Sequence, residues 1–368
     1  MTTLLTASAD DAVPDRPPTL RELLELLRAR IQVTPEELAE ARRRRDLLAA
    51  ALLDEFPGSR TYVNGSVAHS DALDPLTDID LGVVVAEAKD THGPGKKGCA
   101  DLQKRAAEAI RDALKEEFPY LRVEWKARKR SILVRFAKSI SSGDGEFTAD
   151  VIVAIEHPDK GLYIPNHATW SRSHPEEHTR MVRVANKTTQ MTFARVVRLL
   201  KHYNRRNQHP LCSWNIKALA LGAITAPTRL VVGMKDWFDH AIDELSEGLT
   251  EDPAGVAEKP IALNELTRTQ VVDQLERDRD RLVRAIELED AGYPLQAHEQ
   301  LAKFFNDKDL LPFPDPDAVL AEVARKLAAD RAAAKTAAAA AVVPIATVPV
   351  VGHHPDQHAP RTRSWGVG

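Results

Sequence analysis

The sequence predicts a mixed α/β fold in which a strand-rich first half is followed by a helical second half. Three observations carry this. Two apolar runs, Ile79-Asp80-Leu81-Gly82-Val83-Val84-Val85 and Thr148-Ala149-Asp150-Val151-Ile152-Val153-Ala154-Ile155, have the length and β-branched content of buried strands. A segment with apolar positions at helical spacing, Asp101 to Phe118, lies between them, as a crossover over a sheet requires. From Pro175 onward helical patterns succeed one another, several separated by proline-containing breaks.

In chain order, residues 1–18 read as a disordered N-terminus. Leu20 to Ile31 has helical spacing, and Thr34-Pro35-Glu36-Glu37 is a capping box with proline in the first turn, opening a helix to about Phe56. Within that helix Arg42 to Arg45 spread over more than one side, which predicts a solvated face and not a nucleic-acid contact. Arg60 to Asn64 reads as a short strand leading into the turn Gly65-Ser66, Asp78 to Val85 as a second strand, and Glu87 to Gly98 as a mobile loop. Three more strands are expected at Leu121 to Trp125, Ser131 to Phe136 and Phe147 to Ile155, separated by a basic turn (Lys126, Arg128, Lys129, Arg130) and a Ser/Gly loop. The basic turn beside Trp125 is expected to be a solvated hairpin turn before a docking point for RNA or DNA. Helices follow at 175–185, 188–206, 213–225, 229–246, 264–291, 293–305 and 316–341. The organisation is therefore an α/β part over 19–170, a helical part over 171–341 and a disordered tail over 342–368.

Charge limits the partners. Lys plus Arg is 50 against 54 for Asp plus Glu, a net charge of -4, so any site for a polyanion must be local. Two cysteines, Cys99 and Cys212, exclude a disulfide framework and a four-cysteine zinc module. No apolar run approaches the roughly 20 residues of a membrane span, and no basic-then-apolar leader pattern opens the chain. The expectation is a cytoplasmic protein without membrane contact.

The chemistry concentrates on three aspartates. Asp78 and Asp80 share one strand face, and charge planted in a buried strand must be paired or must hold a metal. Asp150 stands in a similar run; if the two strands pair, the three carboxylates converge, as a two-metal phosphoryl-transfer site requires. Upstream, Gly65-Ser66 offers a close backbone approach and a hydroxyl to phosphate oxygens.

Gly65-Ser66, Thr77-Asp78-Ile79-Asp80-Leu81 and Asp150 in an apolar strand resemble the nucleotidyltransferase superfamily of DNA polymerase β. Within it the sequence is similar to the branch of the cyclic GMP-AMP synthase and oligoadenylate synthase enzymes and their bacterial relatives, the CD-NTases. Gly161 to Pro165, Trp170-Ser171, Pro175 to His178, Arg198 to Asn204 and Leu211 to Leu219 carry this narrower likeness, which covers about residues 35 to 225. It implies a polymerase β-like mixed-sheet core with a helical C-terminal half, bilobal around a central cleft. Over 19–170 it implies a catalytic core with an N-terminal spine helix, and over 171–341 a nucleotide-binding domain. The implied activity joins nucleoside triphosphates, ATP or GTP, into a cyclic di- or trinucleotide second messenger for a separate effector protein in anti-phage defence.

The resemblance also implies residue roles. Asp78, Asp80 and Asp150 hold two Mg2+ ions, with Mn2+ as an alternative, and Asp150 stands nearest the attacking ribose hydroxyl. Gly65 and Ser66 receive the terminal phosphates, Lys201 and Ser213 contact triphosphate from the helical half, and Trp214 stacks on a base. Lys217 adds charge to the same pocket or is a surface lysine. Residues 67–76 depart from the family pattern, so neither His69 nor Ser70 receives a role. The animal enzyme's DNA-sensing zinc insertion is absent, so DNA is not required. Two rivals stand beside this reading: transfer of a single nucleotide (or linear oligoadenylate synthesis) onto an RNA, protein or small molecule, and a non-catalytic nucleotide-binding module. His174-Pro175-Glu176-Glu177-His178 matches the H-x-x-E-H pattern of inverted zinc peptidases, but the proline sets a helix start between the two histidines. His353, His354 and His358 in the tail suit only adventitious metal binding. No spacing fixes base identity, ring size or linkage.

Overall fold

The two aspartate-bearing runs form neighbouring parallel strands at the centre of a mixed sheet. A computed structural model describes residues 16–141 and 145–340 of the chain; residues 1–15 of the expected N-terminal segment and the expected tail lie outside them. Strands β1 (Arg60–Asn64), β2 (Asp78–Val84), β3 (Arg122–Glu124), β4 (Ile132–Arg135) and β5 (Thr148–Glu156) lie in the order β1-β2-β5-β4-β3. Only β2 and β5 are parallel, and that geometry needs the long connection through helix α4 (Ala100–Leu114). Two strands unforeseen in the sequence, β6 (Leu162–Asn166) and β7 (Thr169–Ser173), pair off the far end of β5. Pro165 and the polar run Thr-Trp-Ser-Arg-Ser hide their pattern: β7 is the edge strand, and Pro165 lies in β6 beyond Leu162 and Tyr163, the residues paired with β5, where β6 has only β7 as a partner.

Helices α2 (Pro35–Glu55) and α4 bury their apolar stripes on the sheet, where Leu48, Leu52, Leu102, Ala106 and Ile110 meet Ile79, Leu81, Val83, Val151 and Val153. The capping box forms as expected: Thr34 Oγ1 accepts from the Glu37 amide at 3.2 Å, and the Glu37 carboxylate accepts from the Thr34 amide at 2.8 Å. The solvated-face expectation for Arg42 to Arg45 is corrected at Arg44, which is 2% exposed. Its guanidinium lies 5.0 to 5.5 Å from the ring centres of Phe118, Phe136 and Phe147 and donates to the Lys138 carbonyl and Glu40. Cation–π contact and two hydrogen bonds replace water there.

A second core is helical. It gathers α1 (Leu20–Arg30), α5 (Pro175–Thr188), α6 (Thr192–Arg206), α7 (Ser213–Ala223), α8 (Leu230–Glu247), α9 (Arg268–Asp290) and α10 (Pro294–Phe305). Although α1 precedes the sheet in sequence, its stripe Leu20, Leu23, Leu24 and Leu27 is buried in this helical core. Four such leucines contribute roughly 6–12 kcal/mol of gross burial free energy. Tyr203 stacks on Phe304 at 4.7 Å and donates its hydroxyl to Asp278 at 2.6 Å, satisfying the polar end of a buried ring. Both cores belong to one compact unit, Met1–Glu322; the second unit, Val323–Gly368, is described only over the rest of the Ala-rich helix α11 (Pro316–Ala340). Among the described residues no helix is long and apolar enough to cross a membrane.

Candidate active site

A cleft of about 1090 Å³ opens beside the β2–β5 pair. The sheet side supplies Gly65, Ser66, Asp78, Asp80 and the turn at 127–131, and the helical side supplies Lys201, Ser213, Trp214 and Lys217. Eight Lys and Arg side chains line it against three Asp, an excess of five positive charges in a chain whose total is -4. Positive charge is therefore concentrated locally despite the negative total. The basic turn contributes to it: Arg128, Lys129 and Arg130 line the cleft, and Lys129 and Arg130 are exposed, as expected of a solvated hairpin turn.

The strand register brings the aspartates together. Asp80 stands opposite Asp150 and Asp78 opposite Thr148, so one face of two strands about 4.8 Å apart carries the carboxylates. Gly65 makes room for Asp80. Its φ is +74°, and a Cβ there would fall 1.6 Å from Asp80 Oδ2, so only glycine fits on both counts. The expected Gly65-Ser66 turn proves to be the start of a short helix, α3 (Gly65–His69). Ser131 donates to Asp150 Oδ1 at 2.5 Å, and Arg128 stands 3.7 Å from the same oxygen. Burial first, then the charges of Asp78 and Asp150, push the Asp80 carboxyl up to about 7. Among the described residues no three His, Cys, Asp or Glu side chains close around one point as a cation cage. The donor set nonetheless fits a hard divalent ion: three carboxylates, one of them driven toward protonation first by burial and then by the charges of the other two, both of which a bound cation would offset.

Lys201 and Lys217 share one counter-ion that the sequence did not reveal. Asp71, fully buried, lies 2.8 Å from Lys201 Nζ and 3.1 Å from Lys217 Nζ. At 4% exposure Lys217 is not a surface lysine. Burial would raise the Asp71 carboxyl, but the two ammoniums hold it down at about 2. Two cations against one anion leave a net positive charge in the cleft wall. His69 continues the network: its Nδ1 lies 2.9 Å from Lys217 Nζ and its Nε2 3.1 Å from Thr179 Oγ1, whose hydroxyl lies 3.1 Å from the Val63 carbonyl. An ammonium can only donate and Thr179 donates onward to Val63, so His69 is neutral with its proton on Nε2. Burial and the Lys217 charge agree, lowering it to about 3. Asn186 and Arg198 bind the carbonyls of His69, Ser70 and Ala72. Helices α5, α6 and α7 thereby clasp the segment that follows Gly65.

Trp214 is half-buried at the start of α7, its ring 4.3 Å from that of His178. His178 Nε2 lies 2.6 Å from Asp252 Oδ1, so this nitrogen of the H-x-x-E-H motif is committed to a carboxylate. Asp252 Oδ2 also accepts from the amides of Val256 and Ala257 at 3.2 and 3.1 Å. It thereby shapes the irregular segment 248–267 between α8 and α9. That segment is pinned at Thr250, which donates to Asn215, and at Asn264, which donates to the His209 carbonyl. Between these pins, Lys259 to Leu263 face the cleft.

No protein-family model and no curated protein matches the sequence. Solved structures do. Escherichia coli MS115-1 CdnC, in its complex with HORMA-deltaN, superposes with a TM-score of 0.59 at 17% identity, covering 79% of this chain and 96% of that one. The Bradyrhizobium diazoefficiens CD-NTase CdnG, in complex with GTP, gives 0.56 at 16% identity over 83% and 98%. Vibrio cholerae DncV cyclic AMP-GMP synthase, with the linear intermediate 5′ pppA(3′,5′)pG, gives 0.55 at 16% identity over 76% and 93%.

The fold is that of the CD-NTases. At these identities the likeness is one of architecture: a nucleotidyltransferase mixed sheet with helices completing the cleft. Within this CD-NTase fold the sequence-predicted residues fall on both walls. Gly65, Ser66, Asp78 and Asp80 line the sheet side, with Asp150 in register beside Asp80, while Lys201, Ser213, Trp214 and Lys217 line the other. Asp71, Thr179 and Asp252 carry no signal in the sequence, His69 received no role there, and His178 stood only in the family-like segment and the H-x-x-E-H pattern. Each is an isolated polar residue whose partners lie tens to more than a hundred positions away, so no local spacing marks it.

Proposed function

We propose that this chain is a metal-dependent nucleotidyltransferase that joins nucleoside triphosphates into a cyclic di- or trinucleotide with release of pyrophosphate. One observation carries the reading: the β2–β5 register sets Asp80, which lines the cleft, opposite Asp150, and the cleft lining carries eight Lys and Arg against three Asp. Asp78, Asp80 and Asp150 would hold two magnesium ions. Such ions neutralise phosphate charge and favour the alkoxide form of an attacking ribose hydroxyl. Ser66 offers its hydroxyl to the terminal phosphates, with Gly65 allowing the close approach. Lys201 and Lys217 act through the positive charge that Asp71 leaves uncancelled, a field favouring a polyanion without a flexible lysine having to be ordered. Ser213 opens α7, so free amides and the positive helix end face the same charge. Trp214 stacks on the base, supported from behind by His178. Asp150, its Oδ1 fixed by Ser131, accepts the proton of the attacking hydroxyl. The product would be a signal for a separate effector protein in anti-phage defence in the cytoplasm, made without DNA.

A second reading is transfer of a single nucleotide to an RNA end, favoured by the exposure of Arg128 to Arg130 to the cleft. Incubation with all four NTPs and magnesium, followed by mass spectrometry, separates them. A phosphatase-resistant cyclic product is expected, and it should vanish in Asp78→Asn/Asp80→Asn while the circular dichroism stays that of the parent. Label retained on a macromolecule would favour the second reading, and nucleotide binding without pyrophosphate release would sink both.

A further inference from the structure

Asp252 is a buried carboxylate that leans on one histidine. It is 8% exposed, and among the described residues no Lys or Arg stands within 4 Å of it. Its Oδ1 meets His178 Nε2 at 2.6 Å and the Ala254 amide at 3.4 Å, while its Oδ2 takes the amides of Val256 and Ala257. Burial alone would raise this carboxyl, but His178, and after it the amides of Val256 and Ala257, hold it well below the ordinary carboxylate range. An ionised carboxylate can only accept, so His178 donates from Nε2. That bond fixes the imidazole in tautomer and in orientation.

The fixed ring has two neighbours of different kinds. On one side lies Trp214, with ring centres 4.3 Å apart and planes at 33°, so His178 backs the indole while Trp214 remains part of the cleft wall. On the other side, through Asp252, lies a loop closed on itself: the Ile261 amide donates to the Thr250 carbonyl at 2.8 Å, and Gly255 turns the chain at a φ of +66°. The Thr250 hydroxyl ties this loop to Asn215, the residue after Trp214, at 3.0 Å, and Lys160 Nζ ties it to the β5–β6 turn through the Ala254 carbonyl at 3.1 Å. An apolar contact in place of the His178–Asp252 pair would back the indole as well, without desolvating a charge. What the charged pair adds is direction: a short hydrogen bond holds the imidazole at one angle, and stacked rings follow one another's planes.

With Trp214 taken as the base platform, on which this rests, we propose that His178 and Asp252 are positioning residues for the nucleotide base. Asp252 locks the imidazole, the imidazole sets the plane of the Trp214 ring, and the loop 250–261 takes its place from the same carboxylate. Base platform and loop are thereby one unit, set before the nucleotide arrives.

Isothermal titration on the full chain with magnesium tests it. The probes are the dideoxy forms of the four nucleoside triphosphates, which lack an attacking ribose hydroxyl, and inorganic tripolyphosphate, which has no base. The ratio of the tripolyphosphate dissociation constant to that of the tightest nucleotide isolates what the base contributes. Trp214→Ala should cut that ratio at least about tenfold, the worth of one base–aromatic stack. His178→Gln has no ring, though its amide still reaches Asp252; it should cut the ratio at least about fivefold while tripolyphosphate binds within about twofold of the parent. A merely structural lesion would move both probes together. In the Trp214→Ala background His178→Gln should change the ratio by less than about twofold, because the two side chains act through one another. Hydrogen exchange of the ligand-free chain reads the loop: 252–258 should stay slow in His178→Gln and quicken in His178→Ala. The proposal is overturned if the ratio in His178→Gln stays within about twofold of the parent, if the loss is the same with and without Trp214, or if loop exchange is equal in the two His178 variants. An unchanged ratio in Trp214→Ala, or no nucleotide bound more tightly than tripolyphosphate, removes Trp214 as the base platform, and the proposal falls with it.

Discussion

Replacing Asp71 with asparagine removes the single negative charge that Lys201 and Lys217 share at 2.8 and 3.1 Å. Both lysines are at most 5% exposed, so the variant holds two adjacent ammoniums with little water to screen them. Two responses bound the cost. Keeping both charged leaves buried, uncompensated cations, at roughly 3–5 kcal/mol. Releasing one proton from a lysine of ordinary value 10.5 costs about 4 kcal/mol at about pH 7.5, at about 1.4 kcal/mol for each pH unit. The cheaper route sets the loss, roughly 3–4 kcal/mol near neutrality. Its pH dependence is the more specific signature. A lysine forced neutral in the folded state binds fewer protons than in the unfolded chain, so the variant gains stability as pH rises and its deficit narrows by about 1.4 kcal/mol per unit toward the lysine range. Urea unfolding followed by circular dichroism at about pH 7.5 and 9.5 measures both quantities. Adding Lys217→Met to Asp71→Asn should recover a large part of the loss, since it removes the second charge along with its need for a partner. A deficit below about 1 kcal/mol refutes the shared-counter-ion account, and a larger one that stays constant with pH shows that both lysines keep their charge.

Three further outcomes follow. Gly65→Ala combines a left-handed backbone with a Cβ driven into the Asp80 carboxylate, and should cost roughly 1–3 kcal/mol in unfolding free energy and abolish product formation. Trp214→Ala should raise KM for the nucleotide by roughly tenfold or more, the worth of one base–aromatic stack, while the circular dichroism of the folded chain is retained. His69 is held at about 3 in the fold against about 6.5 in the unfolded chain, so the unfolded state takes up its proton first as pH falls. Its contribution to stability is complete above about pH 6.5 and declines by roughly 1.4 kcal/mol per unit below it, and His69→Gln should flatten the urea-midpoint profile between about pH 6 and 4.5.

What was legible in the sequence was whatever repeats or caps locally. The runs carrying Asp80 and Asp150 announced strands because β-branched residues dominate them, and Thr34 with Glu37 announced a helix start by a reciprocal hydrogen-bond pair that forms as expected. The same logic explains the misses. Asp71 lies where the family pattern breaks off, and its value comes from lysines 130 and 146 positions later. Arg44 looked like one more charge in a basic run because three phenylalanines that receive it lie on other elements. The turn at Lys126 to Arg130 carried its charge plainly, but that it faces the cleft follows from the placement of β4 beside β5. Strand β6 was masked by Pro165, which is tolerated because β6 pairs with β5 only at Leu162 and Tyr163 and at Pro165 has β7 as its single partner.

The segment between α8 and α9 is fastened at Thr250, Asp252 and Asn264, and the residues facing the cleft lie between those fastenings. Lys259 to Leu263 thus add little to either core while forming part of the wall a substrate meets. Changes within this segment therefore disturb little buried structure, and the sheet, the carboxylates and the lysine pair lie outside it. A graft of this short stretch alone is accordingly the smallest change by which one member of such a fold could acquire the selectivity of another.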